Sequence, residues 1–150
     1  MRKTRGAVRR LLAAGLFVGC GLAATGCPNT SPDPNDPNGG AGAVSFAADI
    51  VPILTAHCAG CHSPGGFAFT FITMDLRAAN AYQNLVGVAS VQASGRVRIV
   101  PGDATASYLI EKVTQDQPQV GARMPLNRDP LSEAEIALLR DWIDAGAPNN

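Results

Sequence analysis

The chain has 150 residues, 46% of them hydrophobic and 16% charged, which suffices for one domain of ordinary size and no more. Twelve Lys and Arg residues balance twelve Asp and Glu residues, so the sequence lacks the basic excess of nucleic-acid-binding proteins. Aromatic residues make up only 5% of the chain. A core so poor in bulky side chains would gain from a large apolar cofactor.

Residues 1–26 are predicted to form an export signal. MRKTRGAVRR carries five positive charges and no negative one, LLAAGLFVGCGLAA is apolar, and small residues precede Cys27. This order is typical of a secretory signal, and the apolar run of 14 residues is shorter than the roughly 20 that a membrane-spanning helix needs. We therefore expect the mature protein to be exported.

The end of this signal, LAATGC, resembles the lipobox of bacterial lipoproteins, in which the cysteine after the cleavage point becomes the lipid-bearing N-terminus. The resemblance implies that Cys27 is lipidated and anchors the protein to a membrane facing the periplasm or the cell surface. Ala24 departs from the large aliphatic residue that the lipobox prefers, and a cut before Cys20 would place Phe17 at that position. Ordinary cleavage nearby, which leaves no lipid, is the alternative.

Residues 27–43 are predicted to be a tether, because PNTSPDPNDPNGGAGA is rich in Pro, Asn and Gly and has no apolar periodicity. Removal of residues 1–26 leaves seven cationic and twelve acidic side chains, a net charge of −5. We therefore expect no nucleic-acid partner. The folded domain is expected over residues 44–150.

The domain is predicted to be all-α, with a first helix in DIVPILTAHC. Asp49 is the expected N-cap, and Pro52 falls in the first turn, where its missing N–H does no harm. This helix delivers Cys58 at its C-terminal end. A middle helix, SYLIEKV, is expected to begin near Ser107.

The closing helix, in LSEAEIALLRDWIDAG, has the clearest signals. Ser132 and Glu135 have capping-box spacing, the apolar residues share one side, and Gly146 is the expected stop.

Long connections are expected between these helices. Phe67, Phe69 and Phe71 alternate along the chain, which favours a short strand or an extended loop. RAANAYQNLV favours a short helix, and SGRVRIVPGD favours an extended segment. Long irregular segments in a compact domain usually wrap around something.

The segment HCAGCHSPGG contains both histidines of the chain, His57 and His62, beside Cys58 and Cys61. A structural zinc site would usually need a second ligand pair downstream, which is missing. A redox dithiol would begin a helix, whereas this pair is expected to end one. A disulfide is allowed in an exported protein, but it would close a loop too short to stabilise much.

Cys-x-x-Cys-His is also the attachment motif of c-type haem. Two thiols three positions apart lie within about one helical turn and can add to the two vinyl groups of one porphyrin. We therefore predict one haem c, with Cys58 and Cys61 as its thioether residues and His62 as the proximal iron ligand. His57 is predicted to be a bystander at the helix end.

The sixth iron ligand separates the functions that such a haem can have. Met124 follows His62 by 62 residues, which lets the chain pass around a haem and return to its opposite face. Ligation by His and Met suits electron transfer, whereas an open sixth position suits gas binding or peroxide chemistry. Met74 lies in an apolar stretch and is predicted to fill the core.

With these residues in hand, residues 45–148 resemble the single-haem, class I-like cytochrome c family, in particular the small exported domains of planctomycetes and myxobacteria. CAGCH, RVRIVPGDATASYLIEKV, RMP and LSEAEIALLRDWIDAGAP carry the resemblance. It implies a cytochrome c-like fold whose first and last helices pack beside the haem, with Trp142 in their crossing. Arg98, Arg123 and Asn127 are candidates for propionate contacts on charge and placement, with plain surface positions as the alternative.

The expected function is that of an exported, membrane-tethered electron carrier without catalytic residues. Its redox protein partners would bind by small, transient contacts, and its acidic composition predicts a basic docking face on them. A haem enzyme or sensor with an open sixth position is the alternative, and a haem-free binding module is a third class.

Overall fold

The structure, a computed structural model, describes residues 43–150. The predicted signal, most of the predicted tether and the lipidation site at Cys27 lie outside the described residues.

The regular secondary structure of residues 43–150 is helical, which confirms the all-α prediction. Extended segments of this part of the chain form no strand and meet only in isolated bridges, such as Val86 with Ile99 and Val97 with Ser107. No helix described by the structure is long and apolar enough to cross a bilayer. The elements are a π-helical turn (Phe46–Ile50), α1 (Val51–His57), a 3₁₀ turn (Phe67–Thr70), α2 (Ala81–Leu85), α3 (Tyr108–Thr114) and α4 (Glu133–Asp144).

The first helical segment begins earlier than predicted, and the assignment of Asp49 as its N-cap is wrong. Ser45 is the cap: its Oγ accepts a hydrogen bond from the Ala48 amide at 3.2 Å. The Ser45 amide donates to Asp49 Oδ2 at 2.8 Å. Asp49 therefore acts from within the first turn, where its carboxylate reaches back to the cap as in a capping box.

An aromatic cluster holds the first and last helical segments together. The ring centroid of Phe46 lies 5.3 Å from those of both Tyr82 and Trp142. Trp142 is completely buried, and its Nε1 donates to the Pro148 carbonyl at 2.9 Å. This cluster packs Trp142 of α4 against Phe46 of the π-helical turn.

The predicted caps of α4 are confirmed. Ser132 Oγ accepts the Glu135 amide at 3.3 Å, and the Ser132 amide donates to Glu135 Oε2 at 2.8 Å. Gly146 follows the helix with a φ of 97°, a left-handed conformation that glycine adopts without steric cost. Asp144 Oδ1 accepts the Ala104 amide at 2.7 Å, which links α4 to the segment before α3.

The aromatic segment after the cysteine pair differs from the prediction. It forms a 3₁₀ turn rather than an extended segment: the Phe69 amide donates to the Gly66 carbonyl and the Phe71 amide to the Ala68 carbonyl, each at 3.1 Å and three residues back. Phe67 and Phe71 consequently share a face, with their ring centroids 5.3 Å apart. Both rings are largely exposed, at 71% and 66%. The predicted short helix that follows is confirmed as α2.

Candidate haem site

A cavity of about 350 Å³ lies among α1, α3 and the connecting segments. This volume falls within the range of roughly 300 to 1,000 Å³ that is usual for small-molecule sites. Most of its lining is apolar. The walls include all four residues predicted to attach haem covalently or to ligate its iron: Cys58, Cys61, His62 and Met124.

The backbone after α1 presents the motif to this cavity. α1 ends at His57, and the Cys58 amide donates to the Leu54 carbonyl at 2.9 Å. The Cys58 carbonyl in turn accepts the amides of Cys61 at 3.1 Å and His62 at 2.9 Å. The chain thus continues in tight turns, which confirms that the cysteine pair follows a helix.

The two cysteines are free thiols. Burial, with a smaller contribution from Cys61, raises the pKa of Cys58 to about 11. Redox-active and metal-binding cysteines act as thiolates, which requires a lowered pKa. Among residues 43–150, moreover, no three His, Cys, Asp or Glu side chains cluster as a metal site. The environment of Cys58 therefore favours a protonated thiol over either of those uses.

His62 is buried, with 8% of its surface exposed. Its Nδ1 has no hydrogen-bond partner in the part of the chain that the structure describes. Burial lowers the pKa of His62, and the positive charges of Arg98 and Lys112 lower it further. A neutral imidazole keeps a lone pair for a metal ion. Since buried polar groups almost always have partners, the ring fits a residue that completes its bonding with a bound group.

Two methionines line the cavity, and they come from different segments. The Met124 amide donates to the Lys112 carbonyl at 2.7 Å, so Met124 belongs to a loop attached to α3. Met74 lies two residues before Leu76, whose amide donates to the His62 carbonyl at 2.8 Å. Met74 also packs against the hydrophobic core, in line with its predicted role.

The charged lining of the cavity is cationic. Arg98, Lys112 and Arg128 contribute to the walls, whereas no Asp or Glu of residues 43–150 does. Arg98 is buried, and its Nη1 donates to the Asn84 carbonyl at 2.7 Å. Such a lining favours an anionic group at the cavity, although the chain as a whole has a formal net charge of zero.

Of the three candidates for propionate contacts, the structure brings Arg98 alone to the cavity wall. Arg123 and Asn127 are not among the lining residues. Arg123 Nε donates to the Val113 carbonyl at 2.9 Å, and its Nη1 lies 3.4 Å from Asp116 Oδ1. Asn127 is exposed and has a φ of 56°.

Sequence reasoning missed two of the cationic lining residues, Lys112 and Arg128. The pattern of α3 contained a signal for Lys112, because it shares a helix face with Leu109 and Val113, which also line the cavity. No comparable pattern marks Arg128, which lies on an irregular loop.

His57 has a defined partner. Its Nε2 lies 2.9 Å from Glu135 Oε1, so the end of α1 is bonded to the first turn of α4. The Ser132 amide and hydroxyl, followed by His57, keep the pKa of Glu135 below its usual range. His57 also contributes to the cavity wall, and its contact with Glu135 gives it a structural role.

The comparisons with known proteins add little to this geometry. No protein-family model matches the chain, and no curated protein matches it. A solved structure of hydrazine synthase from Kuenenia stuttgartiensis aligns with 69% of this chain, with a TM-score of 0.45 and 23% identity. The alignment covers 16% of the hydrazine synthase chain.

Replacing Gly66 with Ala is expected to destabilise the protein. An added Cβ would lie 2.7 Å from the Cys61 carbonyl carbon and 3.0 Å from the Gly60 oxygen, so backbone would have to move. Overpacking of this kind costs about 1–3 kcal/mol, which guanidinium denaturation would detect as a lower free energy of unfolding. Gly60→Ala is the control, because its Cβ would meet no atom within 4 Å. Equal losses in both variants would contradict the assigned contact.

Proposed function

We propose that this protein is an exported monohaem c-type cytochrome that transfers single electrons between redox partners. One observation carries the proposal: the four residues that the sequence nominates for haem attachment and iron ligation line the same cavity. They come from two segments of the chain, a motif after α1 and a loop after α3. The cationic charge of the cavity and His62 Nδ1, which has no hydrogen-bond partner among residues 43–150, support the same assignment.

Cys58 and Cys61 are proposed to form the two thioether bonds. Their sulfurs would hold the haem through bonds to its two vinyl groups, an addition that consumes no oxidant. Both cysteines are free thiols, as this reaction requires. The tight turns that follow Cys58 hold the backbone of the pair to one short segment and give the attached group a fixed point in the fold.

His62 and Met124 are proposed as the axial ligands. A bound haem supplies reversible one-electron exchange at its iron, and a His and Met ligand pair suits electron transfer. The lowered pKa of His62 keeps its imidazole neutral and able to donate a lone pair. The bond between the Leu76 amide and the His62 carbonyl keeps Met74 near the histidine in the fold. Met124, from the α3 side, is therefore the better candidate for the second ligand.

Arg98 is proposed to bind a haem propionate, together with the newly identified Lys112 and Arg128. Haem carries two carboxylates, and three cations without a competing carboxylate at the wall would compensate their charge. Burial lowers the pKa of Arg98, and a bound anion would offset that cost of desolvation. The positions of Arg123 and Asn127 add no support for their assignment.

The wider setting is proposed from the sequence. A cytochrome c-like fold would place the pair of α1 and α4 beside the haem. Cys27 would carry the lipid that anchors the domain, through residues 28–43, to a membrane of the periplasm or the cell surface. Electron transfer in this setting would need orientation and an accessible haem edge, and no catalytic residue.

Covalent attachment is the first test. After export from a bacterium that matures c-type cytochromes, the protein is expected to retain haem through denaturation and acid extraction. Cys58→Ser/Cys61→Ser is expected to release all of its haem, because both thioethers are lost, whereas Ser63→Ala is expected to retain it. Denaturing gels stained for haem would report the difference. A wild-type protein that bears no haem would refute the proposed function.

Met124→Ala is expected to open the sixth coordination position. The reduced variant should bind carbon monoxide at least about tenfold more tightly than the wild type, equivalent to roughly 1.4 kcal/mol. Its reduction potential should fall, because a methionine ligand raises the potential. Optical titration and voltammetry measure both quantities.

Met74→Leu is the matched control for this test and should change neither quantity. Carbon monoxide binding that increases in Met74→Leu but not in Met124→Ala would reverse the assignment of the ligand. Tight binding in the wild type itself would favour the alternative of a haem enzyme or sensor.

Partner binding is expected to depend on ionic strength. Raising salt from about 10 mM to about 100 mM shortens the screening length from roughly 30 to 10 Å, which weakens the attraction between an acidic carrier and a basic partner. Stopped-flow rates with a basic redox protein should therefore fall severalfold, while rates with an uncharged small oxidant should not. Equal salt profiles for the two reactants would count against an acidic docking surface.

A further inference from the structure

We infer that Lys112 is the positioning residue for Met124: its ammonium group binds the loop carbonyls on both sides of Gly121 and so sets where Met124 enters the cavity. The inference rests on the proposed role of Met124 as an iron ligand. It adds a residue that would determine whether the sixth position stays closed.

The loop that carries Met124 depends on outside contacts for its shape. Residues 115–131 contain no helix or strand. Lys112 makes three hydrogen bonds to this loop: its Nζ donates to the Val120 carbonyl at 3.0 Å and to the Ala122 carbonyl at 2.6 Å. Its own carbonyl accepts the Met124 amide at 2.7 Å. One residue of α3 thus holds the loop at Met124 and at two positions before it.

The turn between the two bound carbonyls fits this arrangement. Gly121 has a φ of 71°, in the left-handed region that side chains other than glycine rarely adopt. A Cβ at Gly121 would lie 3.6 Å from Lys112 Nζ, so the turn folds closely around the ammonium group. The conformation of Gly121 and the charge of Lys112 therefore belong to one local structure.

Other residues of α3 also contact this loop, but none of them combines these bonds. The Tyr108 hydroxyl lies 3.3 Å from both the nitrogen and the oxygen of Val120. Arg123 bonds the Val113 carbonyl through its side chain. Lys112 alone among these residues bonds the backbone on either side of Gly121 and the amide of Met124.

The ammonium group of Lys112 is partly shielded from water, which strengthens its hydrogen bonds. Lys112 is half-buried and lines the cavity. Hydrogen bonds from a charged donor are roughly twice as strong as neutral ones.

The test compares Lys112→Leu, which removes the donors and the charge, with the wild-type haem protein. Two quantities are measured: deuterium uptake by the backbone of residues 119–126, and the affinity of the oxidised protein for added imidazole. We expect faster uptake and an affinity about tenfold higher in Lys112→Leu. Lys112→Arg, which keeps a charged donor group, should restore both values toward the wild type.

Arg140→Leu is the matched control, because it removes one positive charge from a half-buried residue of α4 whose side chain does not line the cavity. It should change neither quantity. If Lys112→Leu behaves as the wild type, if Arg140→Leu changes both quantities equally, or if Lys112→Arg restores nothing, the inference is overturned.

A substitute variant and a separate measurement of haem attachment complete the test. If Lys112→Leu does not accumulate as a folded protein, Lys112→Gln, which keeps one amide donor, replaces it with a smaller expected shift in the same direction. A wild-type protein without covalent haem would refute the proposed function, whereas normal haem attachment with an unaffected loop in Lys112→Leu would refute only the positioning role.

Discussion

The carbonyl oxygen of Cys58 accepts two backbone amides, from Cys61 and from His62, and the geometry of the candidate site depends on these two bonds. They hold the chain in tight turns directly after α1, so that two thiols and one imidazole reach one cavity from five consecutive residues. The same turn also fixes the segments that follow it. The Cys61 carbonyl accepts the Ala68 amide of the aromatic segment, and the His62 carbonyl accepts the Leu76 amide. Gly66 fits against this backbone because it has no side chain. A local pattern of backbone bonds thus organises one half of the cavity.

The other half is organised by charge and by α3. Removing the predicted signal leaves an acidic chain, yet the ionisable lining of the cavity includes three cations and no carboxylate. Of these cations Arg98 is buried, and a buried cation without an anionic partner is costly, so an anion at this cavity would stabilise it. The depressed pKa values of His62 and Arg98 have burial as their first cause. Burial therefore favours an uncharged His62, whose lone pair could bind a metal ion. A bound anion would offset the cost of burying the charge of Arg98.

Local signals in the sequence were sufficient for the elements that depend on neighbouring residues. The capping box of α4, its glycine stop and the helix before the cysteine pair are encoded within a few positions, and each was predicted correctly. The start of the first helical segment was not, because Ser45 and Asp49 both have capping chemistry and their reciprocal bonding decides between them.

Longer-range contacts were beyond sequence reasoning. The aromatic segment was expected to be extended because its side chains alternate, whereas it forms a 3₁₀ turn that the Ala68 amide joins to the Cys61 carbonyl. Of three candidate propionate contacts, Arg98 alone reaches the cavity, since the position of Arg123 is set by its bonds to Val113 and Asp116. Spacing could nominate Met124 but could not reveal that Lys112 holds its loop, because those bonds form only once the irregular segment has folded against α3.

The exposed rings of Phe67 and Phe71 line the cavity and face solvent at the same time. Contiguous apolar surface that is open to water promotes association between chains. A chain that folded with this cavity empty would therefore expose an apolar surface through which it could associate with other chains. Filling the cavity early would protect the newly made chain from aggregation, so the moment at which the cavity gains its occupant would bear on solubility.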